Sequence, residues 1–143
     1  MGLDLFLHCY RKGEPATFKR ALAEEILSRD AIDYRPPLHD VTYADGSRAQ
    51  ITGADDEDVH DLMFTHCRPG TFLERLYELA NRTRSVVLWP FGSPESAVTD
   101  TETIAEVPSA FREEPFGPPF IVGSGREIYE AILRSGSADA SKA

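Results

Sequence analysis

Apolar residues recur at every second position at the start of the chain. Leu3, Leu5, Leu7 and Cys9 alternate with Asp4, Phe6, His8 and Tyr10, the period of a strand. Phe6 makes the second face apolar at its middle, so a strand over 3–10 is expected near the centre of a sheet. Arg11-Lys12-Gly13-Glu14-Pro15 then breaks the pattern, and Pro15 suits the first turn of a helix. Beyond it the period changes. Phe18, Ala21, Leu22 and Ile26 share one stripe, with Lys19, Arg20, Glu24 and Glu25 mostly elsewhere, which predicts a helix over 16–28. Tyr34-Arg35-Pro36-Pro37 cannot be helical, because each proline restricts the residue before it. Residues 41–52 read as a β-hairpin with strands at 41–44 and 48–52. Asp45-Gly46 supplies the positive-φ turn residues, and the polar outward side places the hairpin nearer an edge.

Residues 59–67 fit two periods. Val59, Leu62, Met63 and His66 suit a helix behind an acidic first turn, whereas Leu62 and Phe64 against Met63 and Thr65 suit a buried strand. The strand is preferred, because Arg68-Pro69-Gly70 leads so soon into the next helix. Thr71 to Glu74 has the spacing of a capping box and predicts a helix over 71–81. The continuous apolar run at 86–89 predicts a strand buried on both faces. Asp100 can cap a short helix containing Ile104 and Val107 and ended by Pro108. Proline and glycine over 115–119 make a rigid connection to a last strand at 120–123. Ser124 and Glu127 then form a second capping box, opening a helix over 125–134. With no internal repeat and no long linker, these elements predict a single α/β (or α+β) domain over 1–134. One mixed sheet carries packed helices, the strands at 3–10, 86–89 and 120–123 are central, and 135–143 is a polar C-terminal tail.

Composition narrows the class. A chain of 143 residues, 41% apolar and 27% charged, buries roughly two-thirds of its unfolded surface without disulfide or metal staples. Disordered, fibrous and disulfide-scaffold chains are excluded, and no stretch approaches the ~20 apolar residues of a membrane helix. Asp4 and His8 interrupt the first apolar run, which speaks against a signal peptide, and Phe6 stands where myristoylation needs Ser or Thr. A cytoplasmic location with reduced thiols is therefore expected. Fifteen Lys and Arg against 24 Asp and Glu give a net charge of −9, which opposes binding to nucleic acid or an anionic membrane and favours a basic protein partner. Twelve of the fifteen basic residues are Arg, which suits a GC-rich bacterial genome.

Four groups of residues carry candidate chemistry. The turn Gly123-Ser124-Gly125-Arg126-Glu127 runs from an apolar strand into a capped helix, an arrangement that presents backbone N–H groups to an anion. Ser124, Gly125 and Arg126, with Trp89 nearby, are the candidate ligand-binding residues. Ile128 stands where a dinucleotide fingerprint needs a third small residue, and Glu127 puts negative charge where a phosphate would sit. A second candidate is an aromatic and proline-lined groove from Trp89-Pro90-Phe91-Gly92 and residues 115–120.

The dipeptides His8-Cys9 and His66-Cys67 are the weak metal candidates. Neighbours in a strand point to opposite faces, so each offers one side chain, and His39 and His60 would have to complete the set. No metal and no cofactor are expected. The fourth group is the carboxylate run Asp55, Asp56, Glu57, Asp58 and Asp61, whose mutual repulsion a cationic partner would relieve.

There is no GxSxG elbow, HExxH, Walker sequence or full GxGxxG, so the balance leans away from an enzyme. In composition and fold class the chain resembles small bacterial proteins that act by binding, immunity and antitoxin proteins among them. The leading expectation is thus a small acidic cytoplasmic protein that binds a basic protein partner. The alternative is a small-molecule or anion-binding protein, enzymes included, with its site at 123–127. The two readings differ in where negative charge sits. A partner-binding protein concentrates the 55–61 carboxylates beside exposed apolar side chains, and an anion site has a concave, cation-lined pocket at the last strand-to-helix turn.

Overall fold

In a computed structural model, residues 3–90, 96–109 and 118–137 are described. The chain is assembled on β1 (Leu3–Arg11), whose alternate residues Leu5, Leu7 and Cys9 are fully buried. It lies between β8 (Asp61–Arg68) and β9 (Ser85–Leu88), antiparallel to both. On one side the sheet continues from β8 through β6 (Arg48–Thr52) and β5 (Asp40–Tyr43) to β4 (Ala31–Arg35). On the other it runs from β9 through β10 (Ser96–Val98) to β11 (Phe120–Ile121), the last pair being parallel. The expected α/β class holds: among the described residues one large mixed sheet carries four helices, α1 (Arg20–Ser28), α2 (Thr71–Thr83), α3 (Thr101–Ile104) and α4 (Gly125–Ile132).

Helices α1, α2 and α4 cover one face, and Leu5, Leu7, Ile51, Phe64, Val87 and Ala97 join their buried residues in the main core. α3 lies at one end of the opposite face. There Tyr10, Val86, Val98 and Val107 make a second, smaller core with Ile104 and Leu88. Val86 and Val87 therefore belong to different cores, which is why 86–89 is apolar without alternation.

The structure corrects several expectations. Pro15 starts no helix: Glu14–Pro15 form β2, paired with Tyr10 and Arg11. The two-residue connection Lys12-Gly13 has φ of 53° and 80°, both positive, as a type I′ hairpin requires. Phe18–Lys19, predicted helical, form β3 and pair with β7 (Asp58–Val59), so α1 begins at Arg20. The 41–52 hairpin is present, but at its turn only Gly46 has a positive φ, and β4 lies outside it as the true edge. The ambiguous 59–67 segment is strand. The 120–123 strand is not central: it pairs over two residues at the sheet edge, where Phe120 stacks on Trp89 at 6.4 Å between ring centroids. Phe120 and Val122 pack against the core rim, whereas Ile121 between them is exposed. Leu133–Ser137, partly assigned to the tail, continue α4 as a π-helical turn in which Ser135 is buried; the rest of the expected tail lies outside the described residues.

Candidate functional site

The face of the sheet opposite α1, α2 and α4 is only partly covered, and strand register shows what it offers. Phe6 of β1 stands between Leu88 of β9 and Met63 of β8, and Met63 in turn faces Thr52 of β6. One cross-strand row is thus Leu88-Phe6-Met63-Thr52. The next row is Val86-His8-Asp61, two residues along each strand. These rows floor a cavity of about 500 Å³, closed on one side by Trp89 and Pro90 and on another by Gly53 and Leu62. Met63 is 37% exposed, and Phe6 and Leu88 are half-buried.

His8 lines the cavity, and an imidazole and a phenol pack behind it. His8 Nδ1 lies 3.1 Å from the Tyr10 hydroxyl. The His60 ring packs against both, 5.7 Å from His8 and 5.5 Å from Tyr10 between centroids. His60 Nδ1 donates to the Ala16 carbonyl at 2.9 Å, so the neutral ring carries its lone pair on Nε2. Burial lowers the His8 pKa below its ordinary 6.5, the neighbouring Asp61 carboxylate opposes this, and charge on His60 adds to it. His8 is therefore neutral at neutral pH. Burial, and then Asp61, raise the Tyr10 pKa, so the phenol stays protonated.

The acidic segment adjoins this cavity. Asp55, Asp56, Glu57, Asp58 and Asp61 are all exposed. Buried Val59 anchors the segment through the β3–β7 pair, and Arg20 ties it down by donating to the Ala54 and Asp55 carbonyls at 3.2 and 3.1 Å. Among the described residues, Asp58 is the one carboxylate of the five in an ion pair, with Lys19 at 2.7 Å. Asp61 lines the cavity directly, and Asp55 shares with Thr52 and Gly53 a smaller hollow beside it.

The strand-to-helix turn at 123–127 is different. Ser124 caps α4 by accepting from the Glu127 N–H at 3.1 Å, as the capping-box spacing predicts. The remaining donors are also taken. Gly123 N–H donates to Glu127 Oε1 at 2.9 Å, and Gly125 and Arg126 donate to the two carboxylate oxygens of Glu74 at 3.0 and 3.1 Å. The anion at this helix start is a side chain of α2. Gly125 serves close approach: a Cβ there would come within 2.4 Å of the Leu73–Glu74 backbone, and its φ is not positive. Arg126 is turned to Glu130 at 3.4 Å along its own helix.

Glu74 leaves its expected role to another residue. Thr71 is the first helical residue of α2 after Gly70 and does not cap it. Asp45 of the hairpin turn accepts from Thr71 N–H and Oγ1 at 2.8 and 2.9 Å, and Ser47 Oγ accepts from Phe72 N–H at 3.0 Å. The Ser47 hydroxyl, donating to Asp45 Oδ1 at 2.6 Å, and then the Thr71 and Ser47 N–H groups hold the Asp45 carboxyl far below the usual carboxylate range.

Trp89 is core rather than groove. It is 1% exposed, and its indole N–H donates to Ser135 Oγ at 2.9 Å. Phe91, Gly92 and 115–117 of the expected groove lie outside the described residues. The two His-Cys dipeptides do not converge. His8 faces Asp61 while Cys67 faces Leu3, at opposite ends of a strand rising about 3.3 Å per residue. Cys9 and Cys67 are buried on the helix-covered side, and burial pushes the Cys67 thiol up to about 12. His66 sits exposed at the β8 bulge with φ of 54°. Among the described residues no group of three or more His, Cys, Asp or Glu could hold a metal ion. No helix among them is long and apolar enough to cross a membrane.

Compared with known proteins, the chain matches no family model, no curated protein and no solved structure. Sequence reasoning missed Phe6, Tyr10, Thr52, His60, Met63 and Leu88 as members of one site. Their signal was the second face of each alternating strand, legible only once the register aligned three strands.

Proposed function

We propose that this is a binding protein of the bacterial cytoplasm whose partner is a basic protein docked on the open sheet face. One observation carries the reading: the register sets His8 and Asp61 directly beside the partly exposed apolar row Leu88-Phe6-Met63, on the face that the exposed acidic segment of Asp55, Asp56 and Glu57 adjoins. Apolar contact area supplies affinity and an acidic rim steers a cationic partner. The net charge of −9 and the arginine-biased basic residues fit this assignment, and the helix starts that could have received an anion already hold carboxylates. Affinity capture at low salt, followed by kinetics with the purified partner, tests it. Asp55→Lys with Asp56→Lys is expected to slow association by about tenfold, with less effect on dissociation, and the effect should fade as the screening length falls to about 8 Å. An association rate unchanged by these substitutions at low salt, or the absence of any basic partner, overturns the assignment.

A further inference from the structure

The open-face cavity has a more particular chemistry than a contact surface needs. The side chains of Phe6, Met63 and Leu88 give it apolar walls, and at one end Asp61 and the His8 ring line it side by side. No cation among the described residues pairs with Asp61; within its row the neighbouring side chain is neutral His8. An apolar sleeve ending at an anion beside aromatic rings suits a long side chain with a flat, weakly hydrated cation at its tip. That is an arginine: its methylene stem packs on apolar walls, and its guanidinium stacks on rings and forks onto a carboxylate. A lysine ammonium would lose more hydration on entering and stacks less well on a ring.

We infer that the cavity between Phe6, Met63 and Leu88 is a receptor for one arginine side chain of the basic partner, with Asp61 binding the guanidinium. This rests on the reading of the open face as the partner's docking surface. It carries a built-in pH dependence. The groups facing His8 are Tyr10 on β1, Asp61 on β8, His60 just before it, and apolar Val86 on β9. In acid, His8 becomes a cation next to Asp61 and competes with the guanidinium for the same carboxylate. Linkage makes the effect reciprocal, so a bound guanidinium lowers the His8 titration midpoint.

The test uses the full chain and a probe independent of the partner: N-acetyl-arginine amide, titrated into isotope-labelled protein and followed by NMR. At about pH 7.5 the probe is expected to shift Phe6, His8, Asp61 and Met63 resonances with millimolar affinity, and to bind several-fold more weakly at about pH 5.5. Asp61→Asn should weaken it about tenfold, the usual scale for one charge-assisted contact. Asp55→Lys with Asp56→Lys should leave probe binding within about twofold, because these residues lie outside the cavity and screening blunts their field. The capped citrulline analogue, neutral and of the same shape, should not bind, and capped lysine should bind more weakly than arginine. Binding of citrulline or lysine equal to arginine, an unchanged Asp61→Asn variant, or no shift at these residues overturns the inference. Loss of probe binding with an intact rim-charge effect on the partner would reject the arginine receptor alone; the converse would reject the docking surface alone.

Discussion

The two faces of β1 are built from alternate residues of one nine-residue strand and meet different surroundings. On one side Leu5, Leu7 and Cys9 are sealed under three helices; on the other Phe6 and His8 stand half-buried above a cavity. The covered face is filled by shape, with Phe64 of the neighbouring strand against Phe72 of α2 at 5.4 Å between ring centroids. The open face is ordered by chemistry, apolar side chains grading into imidazole and carboxylate. The difference teaches that a period of two lets one strand carry stability and recognition without either constraining the other, because a substitution at one residue reaches only one side.

The largest effect sharpens that comparison. Phe64→Ala is expected to cost about 3–5 kcal/mol in urea unfolding, and its sequence neighbour Met63→Ala less than about 1 kcal/mol. Similar losses at both would mean that the open face is as much core as the covered one. Gly125→Ala comes next. The added methyl meets the α2 backbone, so α4 must shift, at about 1–3 kcal/mol by the same measurement. Asp45→Ala removes the carboxylate at the start of α2 and should cost about 1 kcal/mol, the usual worth of a cap.

The smallest effect belongs to the open face. Because folding lowers the His8 pKa, the unfolded chain binds the proton more tightly. Stability from this group is complete above its ordinary value of 6.5. It is lost as pH falls through 6.5 towards the folded-state value, below which the loss levels off. His8→Asn should remove that slope from urea midpoints measured across the window, whereas a slope unchanged in the variant would place its origin elsewhere.

What the chain made legible was whatever its neighbours in sequence decide. Alternation in 3–10 and 61–68, the helical stripes of α2 and α4, and the Asp100 and Ser124 caps all depend on residues within one turn or one strand. What stayed hidden was settled at a distance. β4 and β10 carry few cues of their own, and each is strand because a neighbouring strand offers it a free edge. The Thr71–Glu74 spacing pointed to the wrong cap because the residues that satisfy α2 lie 25 and 26 positions earlier, while Glu74 serves a helix that starts 51 positions later. The cavity was equally remote. His8 and the acidic residues each stood out, but nothing local says that Asp61 and His8 face one another.

Those two carboxylates have a consequence for assembly. Asp45 completes the start of α2, and Glu74 of α2 completes the start of α4. The helix starts are therefore satisfied in relay: the hairpin must close before α2 is capped, and α2 must be docked before α4 finds its anion. Each link runs from an earlier segment to a later one, the direction in which the chain leaves the ribosome. An emerging chain can thus finish each helix with residues already made, and α4 is the piece that arrives to a place prepared for it.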